Sequence, residues 1–244
     1  MDNILKTDCI YNMDCIEGMK IIPNNSIDMI LCDLPYGTTQ CKWDVIIPFD
    51  KLWEQYERII KDNGAIVLTS SQPFTALLIA SNIKLFKYNW VWEKSKATGY
   101  LNSKKRPLVA HEEVLIFSKR QTKYNPQMIK GEPYSKGKAL RETDVYGGQK
   151  ETLVESKDGL RYPRTVQYFK TAESEGKVYH PTQKPLSLFE YLIKTYTDEN
   201  DIVLDNCMGS GTTAIACVNL NRKYIGYEKE KEYFEIIVQR LKNI

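Results

Sequence analysis

Apolar and polar positions follow two different rhythms along this 244-residue chain. The run Ile27-Asp28-Met29-Ile30-Leu31-Cys32 is short and mostly apolar and ends at Asp33 and a proline turn. That pattern predicts a strand delivering residues to its C-terminal edge. From Phe49 to Lys61 the apolar residues Leu52, Trp53, Tyr56, Ile59 and Ile60 keep helical spacing, and Asn63-Gly64 closes the helix. Ala65 to Leu68 predicts the next strand. Ser71 to Ala80 predicts a helix with Pro73 tolerated in its first turn. Tyr88 to Trp92 and Glu113 to Phe117 predict further strands. Later, Leu186 to Tyr196 repeats helical spacing at Leu188, Phe189, Leu192 and Ile193. Asp201 to Leu204 then predicts a strand, Thr212 to Leu220 a helix, Tyr224 to Tyr227 a strand and Lys231 to Leu241 a final helix. Strands alternating with helices predict an α/β fold, doubly wound, whose mostly parallel sheet is covered on both faces.

The rhythm fails from about Lys119 to Lys177, where Pro, Gly, Tyr and charged residues dominate without a period. This stretch is expected to be an irregular insert between residues 1–118 and 178–244, and a segment this long without regular structure is usually functional or disordered. The apolar fraction of 42% is ordinary for a globular chain, and no run approaches the roughly 18 apolar residues of a membrane helix. Met1 to Ile10 carries Asp2, Lys6 and Asp8, unlike a secretory leader. Six cysteines form no C-x-x-C pair and there are two histidines, His111 and His180, so no metal site is expected. Reduced thiols in a cytoplasm are the expected state. Net charge is +3, but Lys94 to Arg141 holds twelve basic residues against Glu112, Glu113 and Glu132. A polyanionic partner would favour such a stretch, and so would a solvated loop.

Val203-Leu204-Asp205-Asn206-Cys207-Met208-Gly209-Ser210-Gly211-Thr212-Thr213 reads as a strand entering a glycine turn that opens a helix. Gly209 and Gly211 allow close backbone approach, and Ser210 and Thr212 stand beside free helix N–H groups. Seventeen residues after Gly211, Glu228 ends the next strand, where a carboxylate can accept from both hydroxyls of a ribose. Ala214 stands where a dinucleotide fingerprint has its third glycine, and no Gly-Lys-Ser/Thr follows. A nucleoside ligand without pyrophosphate fits better. In His180-Pro181-Thr182-Gln183-Lys184-Pro185 two prolines stiffen a turn that could hold a small carboxylate through Thr182 and Lys184, or could simply lead into the helix.

Asp33-Leu34-Pro35-Tyr36-Gly37 falls at the sheet edge where open α/β folds bind ligands. Pro35 keeps Leu34 extended, so the Asp33 carboxylate and the Leu34 carbonyl could grip one amino group while Tyr36 stacks a flat base. An aromatic amine is a poor nucleophile, and hydrogen bonds accepted from its N–H groups concentrate density on nitrogen. A sulfonium methyl held in line would then be transferred by proximity and preorganisation. The chain has no Pro-Cys pair of the kind used to methylate a pyrimidine ring carbon.

Together these residues resemble the amino-methylating DNA methyltransferases in their β-class order: catalytic strip, target-recognition region, cofactor motifs. The resemblance implies a Rossmann-like S-adenosylmethionine-dependent fold with residues 119–177 as target-recognition insert. It implies that Asp33, Leu34, Pro35 and Tyr36 form the catalytic tetrapeptide, with Asp33 also near the cofactor. Asp205, Gly209, Ser210, Gly211 and Thr212 would form the cofactor loop and Glu228 the ribose acid. Asp14 and Cys15 would meet the cofactor adenine, and Thr182 and Lys184 its methionine carboxylate. Trp90 to Lys94 and His111 to Phe117 also resemble the family. Leu34 replaces the first proline of the usual strip, and Asn206-Cys207 a commoner Pro-Phe; Cys207 reads as a small filler, not a nucleophile. An Asp heading the strip is the family pattern for adenine, where cytosine N4 enzymes more often carry Ser.

The implied partner is double-stranded DNA with its target base flipped out, and homodimers occur in this class. Lys94, Lys96, Lys104, Lys105 and Arg106 are candidates for phosphate contacts; Arg141, Gln149, Arg161 and Arg164 are candidates for reading base edges. Other readings remain at this point: an amino methyltransferase for RNA or a protein glutamine, a nucleotide-binding oxidoreductase, or a catalytically silent DNA binder.

Overall fold

The computed structural model describes residues 6–139, 142–143, 147–148 and 152–244. Eight strands form one sheet: β1 (Cys9–Asn12), β2 (Ile27–Cys32), β3 (Ile60–Ser70), β4 (Phe86–Thr98), β5 (Val109–Phe117), β6 (Val166–Phe169), β7 (Ile202–Asp205) and β8 (Lys223–Glu228). Between and after them come α1 (Cys15–Met19), α2 (Phe49–Ile59), α3 (Phe74–Ser81), α4 (Ala172–Glu175), α5 (Leu186–Tyr196), α6 (Thr212–Asn219) and α7 (Lys231–Leu241). The order across the sheet is β1-β8-β7-β2-β3-β5-β4-β6, parallel throughout except where β5 meets β3 and β4. The doubly wound, mostly parallel α/β fold expected from the alternation is the fold observed.

Both faces of the sheet are buried at its centre, as β2 demonstrates along its whole length. Its side chains alternate. Ile30 and Cys32 join a core with Tyr56 of α2 and Phe74 of α3, while Met29 and Leu31 join another with Leu192 of α5 and Ala216 of α6. Each such side chain contributes about 1.5–3 kcal/mol by leaving water. β2 lies between β3 and β7, with Leu204 of β7 opposite Ile30. The chain leaves β2 toward β3 and leaves β7 toward β8, so the strand order reverses between β2 and β7. That reversal opens a crevice at the strands' C-terminal ends. Asp33 follows β2 directly and Asp205 ends β7.

Three differences from the sequence expectation stand out. β1 and α1 span four and five residues, too short for a period to show. β4 and β5 are longer than expected and form a ribbon reaching Thr98 and Val109. The irregular insert is narrower than residues 119–177. Lys123 is bound to Asp201 at 2.5 Å and the Asn125 N–H donates to the Thr195 carbonyl at 2.7 Å, which ties that segment to the main unit. Val166–Phe169 is a strand of the main sheet, parallel to β4, and not irregular chain. The separate compact unit is Pro126–Arg164. It contains antiparallel pairs of Tyr134–Ala139 with Thr152–Ser156, Ile129–Lys130 with Leu160–Arg161, and Glu142–Thr143 with Gly147–Gly148. Among the described residues no helix is long and apolar enough to cross a membrane.

Candidate active site

The crevice holds a cavity of about 850 Å³ that gathers residues from each motif. Asp14, Cys15, Asp33 to Tyr36, Thr182, Lys184, Asp205, Gly209, Ser210, Thr212 and Glu228 all line it. Gly211 does not; it shapes the turn. Its φ of +84° is left-handed, and a Cβ there would sit 2.6 Å from Ile237 Cγ2 of α7. Conformation and packing both demand glycine.

The loop after β7 is fixed by its own carboxylates. Asp205 Oδ1 accepts from the Cys207 N–H at 3.0 Å and Oδ2 from the Thr213 hydroxyl at 2.5 Å. Burial outweighs these bonds and raises the Asp205 pKa to about 7. Glu228 Oε2 accepts from the Gly209 N–H at 2.7 Å and Oε1 from the Glu230 N–H at 2.8 Å. Burial raises this carboxyl too, against the pull of those N–H groups. The Ser210 hydroxyl donates to Gln183 Oε1 at 3.0 Å, which joins the loop to the turn before α5. At the far side Asp14 caps α1, accepting from the Ile16 N–H at 2.9 Å. The free, half-buried Cys207 thiol is hydrogen-bonded with those of Cys15 and Cys32, and these contacts, with desolvation, push its pKa well above the ordinary value. It stays protonated, as a filler would.

Asp33 is held by three donors. Its Oδ1 accepts from the Tyr36 hydroxyl at 2.8 Å and the Thr69 hydroxyl at 2.5 Å; its Oδ2 accepts from Lys184 Nζ at 2.6 Å. Lys184, expected at a carboxylate of the ligand, is therefore found paired with Asp33 of the Asp33–Tyr36 strip. Burial would lower its pKa, but Asp33 and Glu112 outweigh burial and raise it, so the ammonium stays charged. Glu112 Oε2 lies 3.6 Å from Lys184 Nζ and is buried without a hydrogen bond. The Tyr36 ring stacks on Phe74 with centroids 5.0 Å apart, and burial, then Asp33 and Glu112, raise its hydroxyl well above the ordinary range. Leu34 sends its side chain into the core under α2 and α3, so packing anchors the strip where the usual first proline is missing.

The loop beyond the strip is closed by Asp44, which accepts from the N–H groups of Gly37, Thr38 and Thr39 at 2.7–2.9 Å. Burial would raise the Asp44 pKa, yet these donors hold it below the usual value. Trp43 on the same loop packs on His180 at 4.9 Å, and His180 on Tyr233 of α7 at 4.2 Å. Thus the strip, the 180–185 turn and the last helix meet over the cavity.

Two candidates for DNA contact are corrected. Lys94 is 3% exposed and pairs with Glu112 at 3.3 Å, so it cannot reach a phosphate. Arg161 donates to the Gly159 carbonyl at 3.1 Å and also to the Glu132 carbonyl, and stacks on Tyr134, so its donors serve its own unit. Lys96, Lys104, Lys105, Arg106 and Arg164 are exposed. Arg141 and Gln149 lie outside the described residues. Sequence reading missed Thr69, Asp44, Gln183 and Glu112 as site residues. For Glu112 a signal existed: it is in phase with buried Val114 and Ile116 on β5.

Comparison with known proteins agrees with this geometry. A DNA methylase family model of the N6/N4 class matches residues 27–239. The type II methyltransferase M2.MboI of Moraxella bovis is 32% identical over 96% of this chain and 88% of its own length. The type II methyltransferase M.HinfI of Haemophilus influenzae is 30% identical over 96% of this chain and 68% of its own. The M1.HpyAVI–SAM complex superposes with a TM-score of 0.65 at 27% identity, covering 95% of this chain and 98% of that one. The cytosine-N4-specific PvuII DNA methyltransferase shares the fold, with a TM-score of 0.69 at 17% identity over 96% and 86%. The chain belongs to the amino-methylating DNA methyltransferases of the N6-adenine/N4-cytosine class, which use S-adenosylmethionine.

Proposed function

We propose that this methyltransferase acts on the N6 amino group of adenine in double-stranded DNA, at specific sites, with the target base turned out of the helix. The observation that carries the reading is the Asp33 carboxylate in the cavity, aligned by two hydroxyls and an ammonium. Asp33 Oδ2 and the Leu34 carbonyl accept the N–H bonds of the weakly nucleophilic amine and hold it still. Oδ2 becomes available when Lys184 turns its hydrogen bond to Glu112 Oε2, the buried oxygen without one. Phe74 covers one face of Tyr36, so the base stacks on the other. As the amine gains its methyl group it sheds a proton, for which Asp33 is the acceptor within reach.

The residues present fit S-adenosylmethionine. A Cβ added at Gly209 would meet nothing nearer than 3.9 Å, so the loop leaves a free cradle beside its backbone. Glu228 would take the ribose hydroxyls, Asp14 and Cys15 the adenine, and Thr182 and Ser210 the amino-acid end. When bound, the cofactor supplies an electrophilic sulfonium methyl. Lys96, Lys104, Lys105 and Arg106 would hold phosphates, and the Pro126–Arg164 unit, with exposed Arg164 and Tyr162, would read the site.

The Asp at the head of the strip supports adenine. Labelled S-adenosylmethionine and unmethylated genomic DNA, digested to nucleosides after reaction, test this. Label in N6-methyladenine is expected. Label in N4-methylcytosine would keep the mechanism and overturn the base; cofactor binding with no label in DNA would overturn the substrate. Asp33→Ala is expected to abolish transfer while cofactor binding survives, and retained turnover would remove Asp33 from its role.

A further inference from the structure

The ribbon of β4 and β5 runs past the cavity. Trp92, Lys94, Thr98 and Glu112 of its base line that cavity. Thr98 and Val109 face each other, and beyond them the chain turns at Gly99, with φ +88°, into a short helical turn at Tyr100–Asn102. The tip is braced by its own backbone: the Asn102 N–H donates to Gly99, Ser103 to Tyr100, and Lys105 and Arg106 to Asn102, all at 2.8–3.0 Å. On this ordered tip sit the two most exposed large apolar side chains among the described residues, Leu101 at 81% and Tyr100 at 75%. Lys104, Lys105 and Arg106 follow directly, all exposed.

Two large apolar groups held in water on a braced turn at the rim of an active site mark a contact surface. The chemistry on either side names the partner. An aromatic ring and a branched aliphatic chain match the faces of stacked bases, and three adjacent cations match the phosphates that flank them. We propose that Tyr100 and Leu101 form a wedge that enters the base stack of double-stranded DNA, while Lys104, Lys105 and Arg106 hold the neighbouring phosphates. Inserting a rigid apolar pair between base steps offsets the cost of unstacking. At this rim the wedge fills the gap a displaced target base leaves. The inference rests on the DNA reading above and adds to it the element that opens the duplex.

Two measurements test it. In single-turnover methyl transfer with saturating unmethylated genomic DNA, the pair Tyr100→Ala/Leu101→Ala is expected to slow transfer about tenfold or more. Tyr100→Phe keeps the ring and is expected to slow transfer less than the alanine pair does. An alanine pair as fast as wild type at saturation overturns the wedge, because a lost surface contact weakens affinity without slowing bound complexes. The second measurement needs no turnover. A plasmid relaxed by topoisomerase with the protein bound is expected to lose linking number with wild type and not with the alanine pair at equal occupancy. Equal unwinding by both overturns the wedge. Wild type that unwinds the plasmid through these residues yet methylates no base would overturn the proposed function and leave the wedge standing.

Discussion

Four charges meet at the reacting end of the cavity in alternating sign: Asp33, Lys184, Glu112 and Lys94. Each is largely withdrawn from water, with side-chain exposures of 21%, 8%, 17% and 3%. Removing one partner of such a set leaves another charge uncompensated. Lys184 has two berths, one filled at 2.6 Å and one open at 3.6 Å. Glu112→Gln keeps the shape of the second berth and removes its charge. Lys184 then stays on Asp33, and the amine competes with it for Oδ2. Single-turnover transfer is expected to fall roughly tenfold to a hundredfold, with cofactor affinity little changed. In a Lys184→Met background the same substitution should cost little more, since Glu112 acts through Lys184. An equal loss in both backgrounds would make Glu112 an independent contributor.

The turn between β7 and α6 shows how one backbone feature couples an element to the site. Gly211 allows the left-handed step from which α6 starts, and the missing Cβ lets α7 approach through Ile237. Gly211→Ala adds strain at φ +84° and a contact at 2.6 Å, and is expected to cost about 1–3 kcal/mol. Chemical denaturation measures the loss, and cofactor affinity should fall with it because the Gly209 N–H that meets Glu228 moves. Unchanged stability would mean that α7 yields freely. Elements of this kind were legible in the sequence because glycine, proline and a strand-end acid each have a backbone reason to stand where they do. The helical faces of α2 and α5 were legible for the same reason, since their apolar period spans several turns. β1, α1 and β6 were not, because four or five residues carry no period and β6 gains its place only by pairing with β4. The ion pair of Lys184 with Asp33 was illegible too: it depends on how the 180–185 turn crosses the end of β2, which no local pattern encodes.

At the scale of the whole molecule, an open crevice of carboxyls bears on stability. Asp205 moves from its ordinary 3.8 to about 7, chiefly because it is buried. The folded chain therefore holds a proton there that the unfolded chain releases from about pH 4 upward. The stability this group contributes is complete below its ordinary value and is lost as pH rises to about 7. Asp44 has the opposite sign: its pKa is depressed, so its contribution is present above the ordinary value and is lost as pH falls through the depressed one. Asp205→Asn removes the first dependence and leaves the second. The folded carboxyl is protonated below about pH 7 and, like Asn, then offers one carbonyl acceptor and a donor beside it, so the substitution costs little in that range. Below pH 4 the two proteins should accordingly be about equally stable. Between about pH 4 and 7 the variant should gain on it by an amount on the order of 4 kcal/mol, the free energy of the Asp205 shift. For a chain of this length that is roughly 2–4 °C of melting temperature per kcal/mol. Thermal unfolding of both proteins without cofactor, across that pH range, should show two curves that start together at low pH and diverge as pH rises. A difference independent of pH would mean that Asp205 ionises in the folded chain as it does in water, and that the crevice is wetter than its packing implies.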